Sequence, residues 1–217
     1  MLQAILFDLD GVLVDTDALH YQAWKELADR LHIPFTQEQG NRCRGVSRMG
    51  SLEIVLEGAP RHYSVEEKAA FAQEKNTRYQ ALLAALTPEH VTPGAGALLP
   101  ELRRRGYRLA LASGSKNAGL ILERTGLGRW LDAVADGNLI TRSKPDPEVF
   151  LTAARLLEVP PSQCAAVDDA LAGIQAGRAA GMLTVGFGDA ALHQAGDYNI
   201  QTLEQLLPLF PPLEALK

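Results

Sequence analysis

The sequence predicts a doubly wound α/β fold, a parallel sheet with an all-helical segment inserted after its first strand. Three observations lead there. Short, near-continuous apolar runs recur along the chain, helical patterns separate them, and residues 16–87 carry helical periodicity without a strand pattern. Strands that alternate with crossover helices pair in parallel and have both faces of their sheet covered.

Ala4-Ile5-Leu6-Phe7 opens the fold and is ended by Asp8 and Asp10-Gly11. Apolar residues at consecutive positions, rather than alternate ones, read as a strand buried on both faces. In the insert, Leu19, Ala23, Trp24, Leu27, Ala28 and Leu31 fall at helical spacing, with Thr16 or Asp17 available as N-cap. Ser64 and Glu67 have capping-box spacing and open a helix read to about Leu86. Pro88 and Pro93-Gly94 mark the return to the sheet. Helices are then expected over Ala95–Arg105, Asn117–Thr125, Pro147–Glu158 and Leu171–Ala180, with strands at Tyr107–Ala112, Ala133–Ala135, Cys164–Val167 and Met182–Phe187. Residues 1–15 and 88–217 are thereby assigned to the α/β core and 16–87 to the insert. The insert would overhang the carboxyl end of the first strand, where such sheets bind ligands.

Composition agrees with an ordinary globular protein. The 217 residues are 47% hydrophobic and 22% charged, with Gly 19 and Pro 12, which excludes a collagen or a disordered tail. Lys+Arg 21 against Asp+Glu 26 leaves a formal net charge of −5, which argues against nucleic acid or an anionic membrane as partner. Cys43 and Cys164 stand far apart, so two reduced thiols are expected rather than a disulfide or zinc site. No basic leader opens the sequence and no run approaches the roughly 18 apolar residues of a membrane span, so a cytoplasmic protein is expected; it is also expected to be a monomer. Gly94-Ala-Gly96 lacks the third glycine of a dinucleotide fingerprint, and Arg103-Arg-Arg105 reads as a solvated helix-end complement to the dipole.

The chemistry lies at the predicted strand ends. Asp8-Leu9-Asp10-Gly11 puts two carboxylates two residues apart where the first strand stops. One carboxylate there can attack phosphorus while the other handles protons, although the same letters also describe a strand followed by an Asp-Gly turn. Ser113 ends the second strong strand, Lys144 precedes Pro145, and Asp168-Asp169 close CAAV. Acid, hydroxyl, lysine and paired acid would gather on one sheet edge. Read singly, Ser113 caps the following helix, Lys144 and Lys75 are solvated charges, His20 is structural, and Asp168-Asp169 cap the helix at 171.

Together these residues resemble the haloacid dehalogenase superfamily. The insert's position, its helical character and the wording Arg44-Gly45-Val46-Ser47-Arg48 resemble its β-phosphoglucomutase-like branch. The resemblance implies Asp8 as nucleophile, Asp10 as general acid and base, and a phosphate cradle from Ser113 and the Gly114 N–H, with Lys144 neutralising charge. It also implies magnesium (Mg²⁺) held by Asp8, Asp10, Asp168 and Asp169, Asp10 lending its backbone carbonyl. The family's usual Glu-Asp-Ser is here Asp168-Asp169-Ala170, and the shorter first carboxylate is expected to reach Mg²⁺ through water. Gly45, Ser47, Arg48, Lys75, Lys116, Asn117, His20 and Trp24 match positions that contact substrate or steer the proton, with Arg48 gripping a second phosphate. The function implied is a phosphomutase for β-glucose 1-phosphate and glucose 6-phosphate, working through an aspartyl phosphate and the 1,6-bisphosphate under a helical cap that excludes water. The alternatives are a sugar-phosphate phosphatase with the same nucleophile and a catalytically silent binding module.

Overall fold

A computed structural model of the protein describes residues 1–213; residues 214–217, which the sequence reading included in the core, lie outside the described residues. In chain order the strands and α-helices are β1 Ala4–Phe7, α1 Asp17–Arg30, α2 Gln37–Arg42, α3 Arg48–Val55, α4 Val65–Leu83, α5 Ala95–Arg104, β2 Arg108–Ala112, α6 Ala118–Thr125, β3 Ala133–Ala135, α7 Glu148–Leu156, β4 Cys164–Asp168, α8 Leu171–Ala179, β5 Leu183–Gly186, α9 Gly188–Leu192, β6 Tyr198–Asn199 and α10 Leu206–Leu209. The chain divides into two units, Met1–Asp15 with the chain from Thr87 onward, and Thr16–Leu86.

The first unit is a parallel six-stranded sheet of order β3-β2-β1-β4-β5-β6. All four residues of β1 are buried, as its unbroken apolar run predicts for a strand flanked on both edges and covered on both faces. The chain runs outward from β1 through β2 to β3 and then returns to lay β4 on the other side of β1. The strand order therefore reverses at β1, which creates a crevice at its carboxyl end. On one face Val149, Phe150, Ala153 and Ala154 of α7 pack on Ala4, Leu6, Ala110 and Ala166. On α8, a Cβ at Gly177 would lie 2.8 Å from the Ala166 Cβ, so glycine lets that helix approach the sheet.

The second unit is wholly helical. Its core joins Trp24, Leu27 and Ala28 of α1 to Leu52 and Val55 of α3, Ala72 of α4, and Ile33 and Phe35. Ser64 and Glu67 close the expected capping box at the start of α4. Thr16 takes the N-cap position of α1, yet its side chain makes no capping bond, and Asp17 lies inside the helix, so neither caps as expected. Helix α2 escapes the apolar pattern because none of its residues is buried; Thr36 and Gln39 start it with a reciprocal capping box. No helix among the described residues is long and apolar enough to cross a membrane.

One local expectation changes, and the two cysteines stand free as expected. Arg103 pairs with Asp132, and Arg105 pairs with Glu101 while donating to the carbonyls of Leu207 and Phe210, so this basic cluster ties down the C-terminal segment instead of facing solvent alone. Cys164 is fully buried, and burial pushes its thiol up to about 11. Burial also raises Cys43, against the opposing pull of its Ser51 contact and of the Lys75 and Arg42 charges. At pH 8 a thiol-exchange reagent is expected to label Cys43 first and Cys164 only after denaturation. The thiolate fraction of Cys164 should grow about tenfold per pH unit below its pKa; equal labelling rates in the native protein would contradict this.

Candidate active site

The register of β1 brings the chemistry together. Phe7 lies opposite Leu111 of β2 and Val167 of β4, so the next residues, Asp8, Ala112 and Asp168, reach the same edge in adjacent strands. The Asp8 N–H donates to the Val167 carbonyl at 2.9 Å, continuing the ladder one residue beyond the strand. The chain then folds back sharply, with the Leu13 and Val14 N–H groups donating to the Leu9 carbonyl at 2.9 and 3.0 Å. Gly11 sits in that turn at φ +82, and a Cβ there would overlap the Asp169 carboxylate. Glycine thus supplies both the backbone conformation and the space that lets Asp169 approach the Asp8–Asp10 loop.

Lys144 lies between two carboxylates. Its Nζ donates to Asp8 Oδ1 at 2.5 Å and to Asp168 Oδ2 at 2.7 Å, and its side chain is 6% exposed. Lys144 is no solvated loop charge. The Lys144–Pro145 peptide bond is cis. Burial would lower the Lys144 pKa, but the Asp168 and Asp8 carboxylates outweigh it and hold the ammonium above its ordinary value. Burial pushes the Asp8 carboxyl up, with Asp168 and Asp10 adding to that and Lys144 opposing it.

Asp168 is nearly fully buried, and its Oδ1 accepts from the Ala170 N–H at 3.0 Å. The N-cap position of α8 is Ala170, so neither Asp168 nor Asp169 stands at the cap. Gly173 in the first turn of α8 makes room, since a Cβ there would coincide with the Asp168 carboxylate. Oxygens of Asp8, Asp168 and Asp169 all lie within 4.8 Å of one another. Three carboxylates against one ammonium leave a surplus of negative charge in a partly buried oxygen-rich site. That donor set suits a hard divalent cation such as Mg²⁺.

Ser113 follows β2, with its N–H donating to the Ala135 carbonyl and its Oγ accepting from the Ser115 N–H at 3.1 Å. It does not cap the next helix; Asn117 occupies the N-cap position of α6. Gly114 and Lys116 are exposed in this loop, and Asn117 is buried.

The remaining candidates fall in the helical unit. Gly45 takes φ +67 just before Ser47, which caps α3 by accepting from the Gly50 N–H at 3.1 Å. Arg48, half-buried at the first position of α3, donates from Nη2 to Asn76 Oδ1 at 2.8 Å, and burial lowers its pKa. Lys75 is 3% exposed, which overturns its reading as a solvated helix charge. Its Nζ lies 2.9 Å from His20 Nδ1 and over the rings of Trp24 and Tyr79. His20 stacks on Tyr79 with ring centroids 4.0 Å apart. Lys75, His20 and Trp24 are therefore one cluster, to which Tyr79 belongs. Sequence reasoning missed Tyr79 and Asn76, although Tyr79 stands one helical turn beyond Lys75 on α4, a spacing that puts side chains on one face.

Known proteins share this chain's sequence and fold. Residues 2–181 match the model of the haloacid dehalogenase-like hydrolase family. The β-phosphoglucomutase of Bacillus subtilis strain 168 is 41% identical over 214 residues, covering 94% of this chain and 95% of that protein. A phosphorylated carbohydrates phosphatase of Thermotoga maritima is 29% identical over 184 residues, covering 83% of this chain and 82% of that protein. The crystal structure of β-phosphoglucomutase from Clostridium difficile superposes with a TM-score of 0.89 at 35% identity, covering 100% of this chain and 96% of that one. With an acid cluster and buried lysine at the carboxyl end of a parallel sheet, and a family match across most of its length, the chain belongs to the haloacid dehalogenase-like hydrolases.

Proposed function

We propose that this chain is a β-phosphoglucomutase, interconverting β-glucose 1-phosphate and glucose 6-phosphate by way of an aspartyl phosphate on Asp8. The carrying observation is the Asp8 carboxylate at the end of the central strand, paired with Lys144 beside Asp168, in a chain 41% identical to the Bacillus subtilis mutase.

In the forward direction, phosphorylated Asp8 meets the 6-hydroxyl of β-glucose 1-phosphate. The hydroxyl oxygen bonds to phosphorus, the Asp8–phosphorus bond breaks, and Asp10 takes the hydroxyl proton, giving the 1,6-bisphosphate. The second half uses the other phosphate: Asp8 attacks it, the bond from phosphorus to the C1 oxygen breaks, and Asp10 returns its proton to that oxygen. Glucose 6-phosphate leaves and Asp8 is phosphorylated again. Ser113 and the Gly114 N–H are assigned to the phosphoryl oxygens, with Lys116 and Asn117 as further substrate contacts. Lys144 is assigned a fixed positive charge, because the flanking Asp168 and Asp8 carboxylates outweigh the burial that opposes the ammonium. Asp8, Asp169 and the Asp10 carbonyl would hold Mg²⁺, with Asp168 acting through water; when bound, the ion supplies positive charge at the phosphoryl oxygens. Arg48 is assigned to the phosphate that is not being transferred, and the cluster of His20, Trp24 and Lys75 to substrate contact and proton control.

Incubation with β-glucose 1-phosphate, catalytic 1,6-bisphosphate and Mg²⁺ tests this reading. Glucose 6-phosphate is the expected product, and chelation should stop its formation. Arg48→Ala should lower isomerisation by about 10- to 100-fold, the cost of a lost charge-assisted pair, while inorganic phosphate release persists. Inorganic phosphate without glucose 6-phosphate from the wild-type protein would establish the hydrolase reading instead, which the Thermotoga maritima phosphatase among its relatives favours.

A further inference from the structure

The loop assigned above to phosphate is braced from the neighbouring strand end. Just past β3, the Gly137 N–H donates to the Ser115 carbonyl at 3.2 Å, and Asn138 Nδ2 donates to the Lys116 carbonyl at 3.2 Å. The Gly114 carbonyl lies so close to Gly137 that a Cβ there would overlap its oxygen, with the Gly114 carbonyl carbon and Lys116 Cγ at 3.0 Å. Asp136 holds the turn itself, accepting from the Asn138 N–H at 2.9 Å and from its Nδ2 at 3.0 Å. Three successive carbonyls, those of residues 114, 115 and 116, thus face the 136–138 turn.

In a trans peptide the N–H of one residue points opposite to the carbonyl of the residue before it. Turning those carbonyls toward 136–138 therefore turns the N–H groups of residues 115, 116 and 117 the other way. Two of them orient hydroxyls: the Ser115 N–H donates to Ser113 Oγ at 3.1 Å and the Asn117 N–H to Ser115 Oγ at 3.3 Å. The Ser113 hydroxyl, fixed as an acceptor from within the loop, is left to direct its own proton at a ligand oxygen.

We infer that Gly137 and Asn138 are positioning residues for the phosphate group of the substrate, acting through the 113–117 loop without touching the ligand. This rests on the assignment of that loop to phosphate. The Ser113 hydroxyl and the Lys116 N–H, held in place before a ligand arrives, bind an anion without reorganising, and that placement depends on the loop carbonyls being held on the far side. Glycine at 137 permits the close approach, and the Asn138 amide supplies the donor that a carboxylate of the same shape lacks.

The test is titration with inorganic phosphate at saturating Mg²⁺, by calorimetry or phosphorus NMR, on the wild type, Gly137→Ala, Asn138→Asp and the exposed-turn control Leu139→Ala. Gly137→Ala and Asn138→Asp should each weaken phosphate by about tenfold, raising KM more than they lower kcat. Mg²⁺ affinity should stay near wild type even where the thermal midpoint falls, and Leu139→Ala should bind phosphate normally. Should Gly137→Ala fail to fold, Asn138→Asp alone decides, because it keeps size and shape. Wild-type phosphate affinity in both variants overturns the inference. So does a parallel loss of phosphate affinity, Mg²⁺ affinity and thermal midpoint, which marks general damage. Absence of phosphate binding in the wild type sinks the functional reading and the inference with it. Binding without turnover sinks only the mutase.

Discussion

Asp8→Asn is expected to abolish phosphoryl transfer, lowering turnover by at least roughly 10⁴-fold, as loss of a nucleophile does elsewhere. The amide cannot form an aspartyl phosphate, so no phosphoenzyme should be trapped by rapid acid quench. The fold should survive. Asn has the same shape, its oxygen can still accept from Lys144, and Asp168 remains to balance the ammonium. In the metal-free protein the thermal midpoint should hold or rise, because burial and the neighbouring carboxylates already disfavour the Asp8 charge. Retained turnover in Asp8→Asn would move the nucleophile elsewhere. An unfolded variant would make Asp8 a structural residue.

Lys144→Met should hurt both stability and catalysis. Lys144 is 6% exposed, and the Asp8 and Asp168 side chains that face it are 12% and 2% exposed. Removing the ammonium strands two buried carboxylates, a loss of about 3–5 kcal/mol for a buried pair broken from one side. Turnover should fall by about 10³-fold, since a fixed charge beside the transferring group is lost. The double variant Lys144→Met/Asp168→Asn separates the two effects: denaturant unfolding of the metal-free protein should recover much of the lost stability, whereas activity should not return. A Lys144→Met midpoint equal to wild type would mean that the buried pair contributes nothing to the fold.

Much of the reacting core was legible because it depends on local signals that coincide with strand ends. Apolar runs located β1, β2 and β4, and the residue after each run necessarily sits at a sheet edge, as Asp8, Ser113 and Asp168–Asp169 do. The capping box of α4 was legible for the same reason, since Ser64 and Glu67 satisfy each other within one turn. Elements without an apolar period went unread. Helix α2 has no buried residue and therefore no period, and β6 is two residues long, existing only through pairing with Val185 and Gly186.

What the sequence determined by itself was the parallel sheet, its helical insertion and the identity of the acids, hydroxyl and lysine at its edge, because periodicity and turn chemistry are written in neighbouring residues. What only the tertiary structure decided was which of those groups share charge and space. Lys144 reads as a loop residue until β4 sets Asp168 beside Asp8. Lys75 reads as a surface charge until α1 brings His20 and Trp24 against it. Gly137 carries no signal in the sequence, and its role appears only where the Gly114 carbonyl lies against it. Each of these depends on the distance between segments remote in sequence, fixed by strand register and helix packing, and no local pattern encodes that distance.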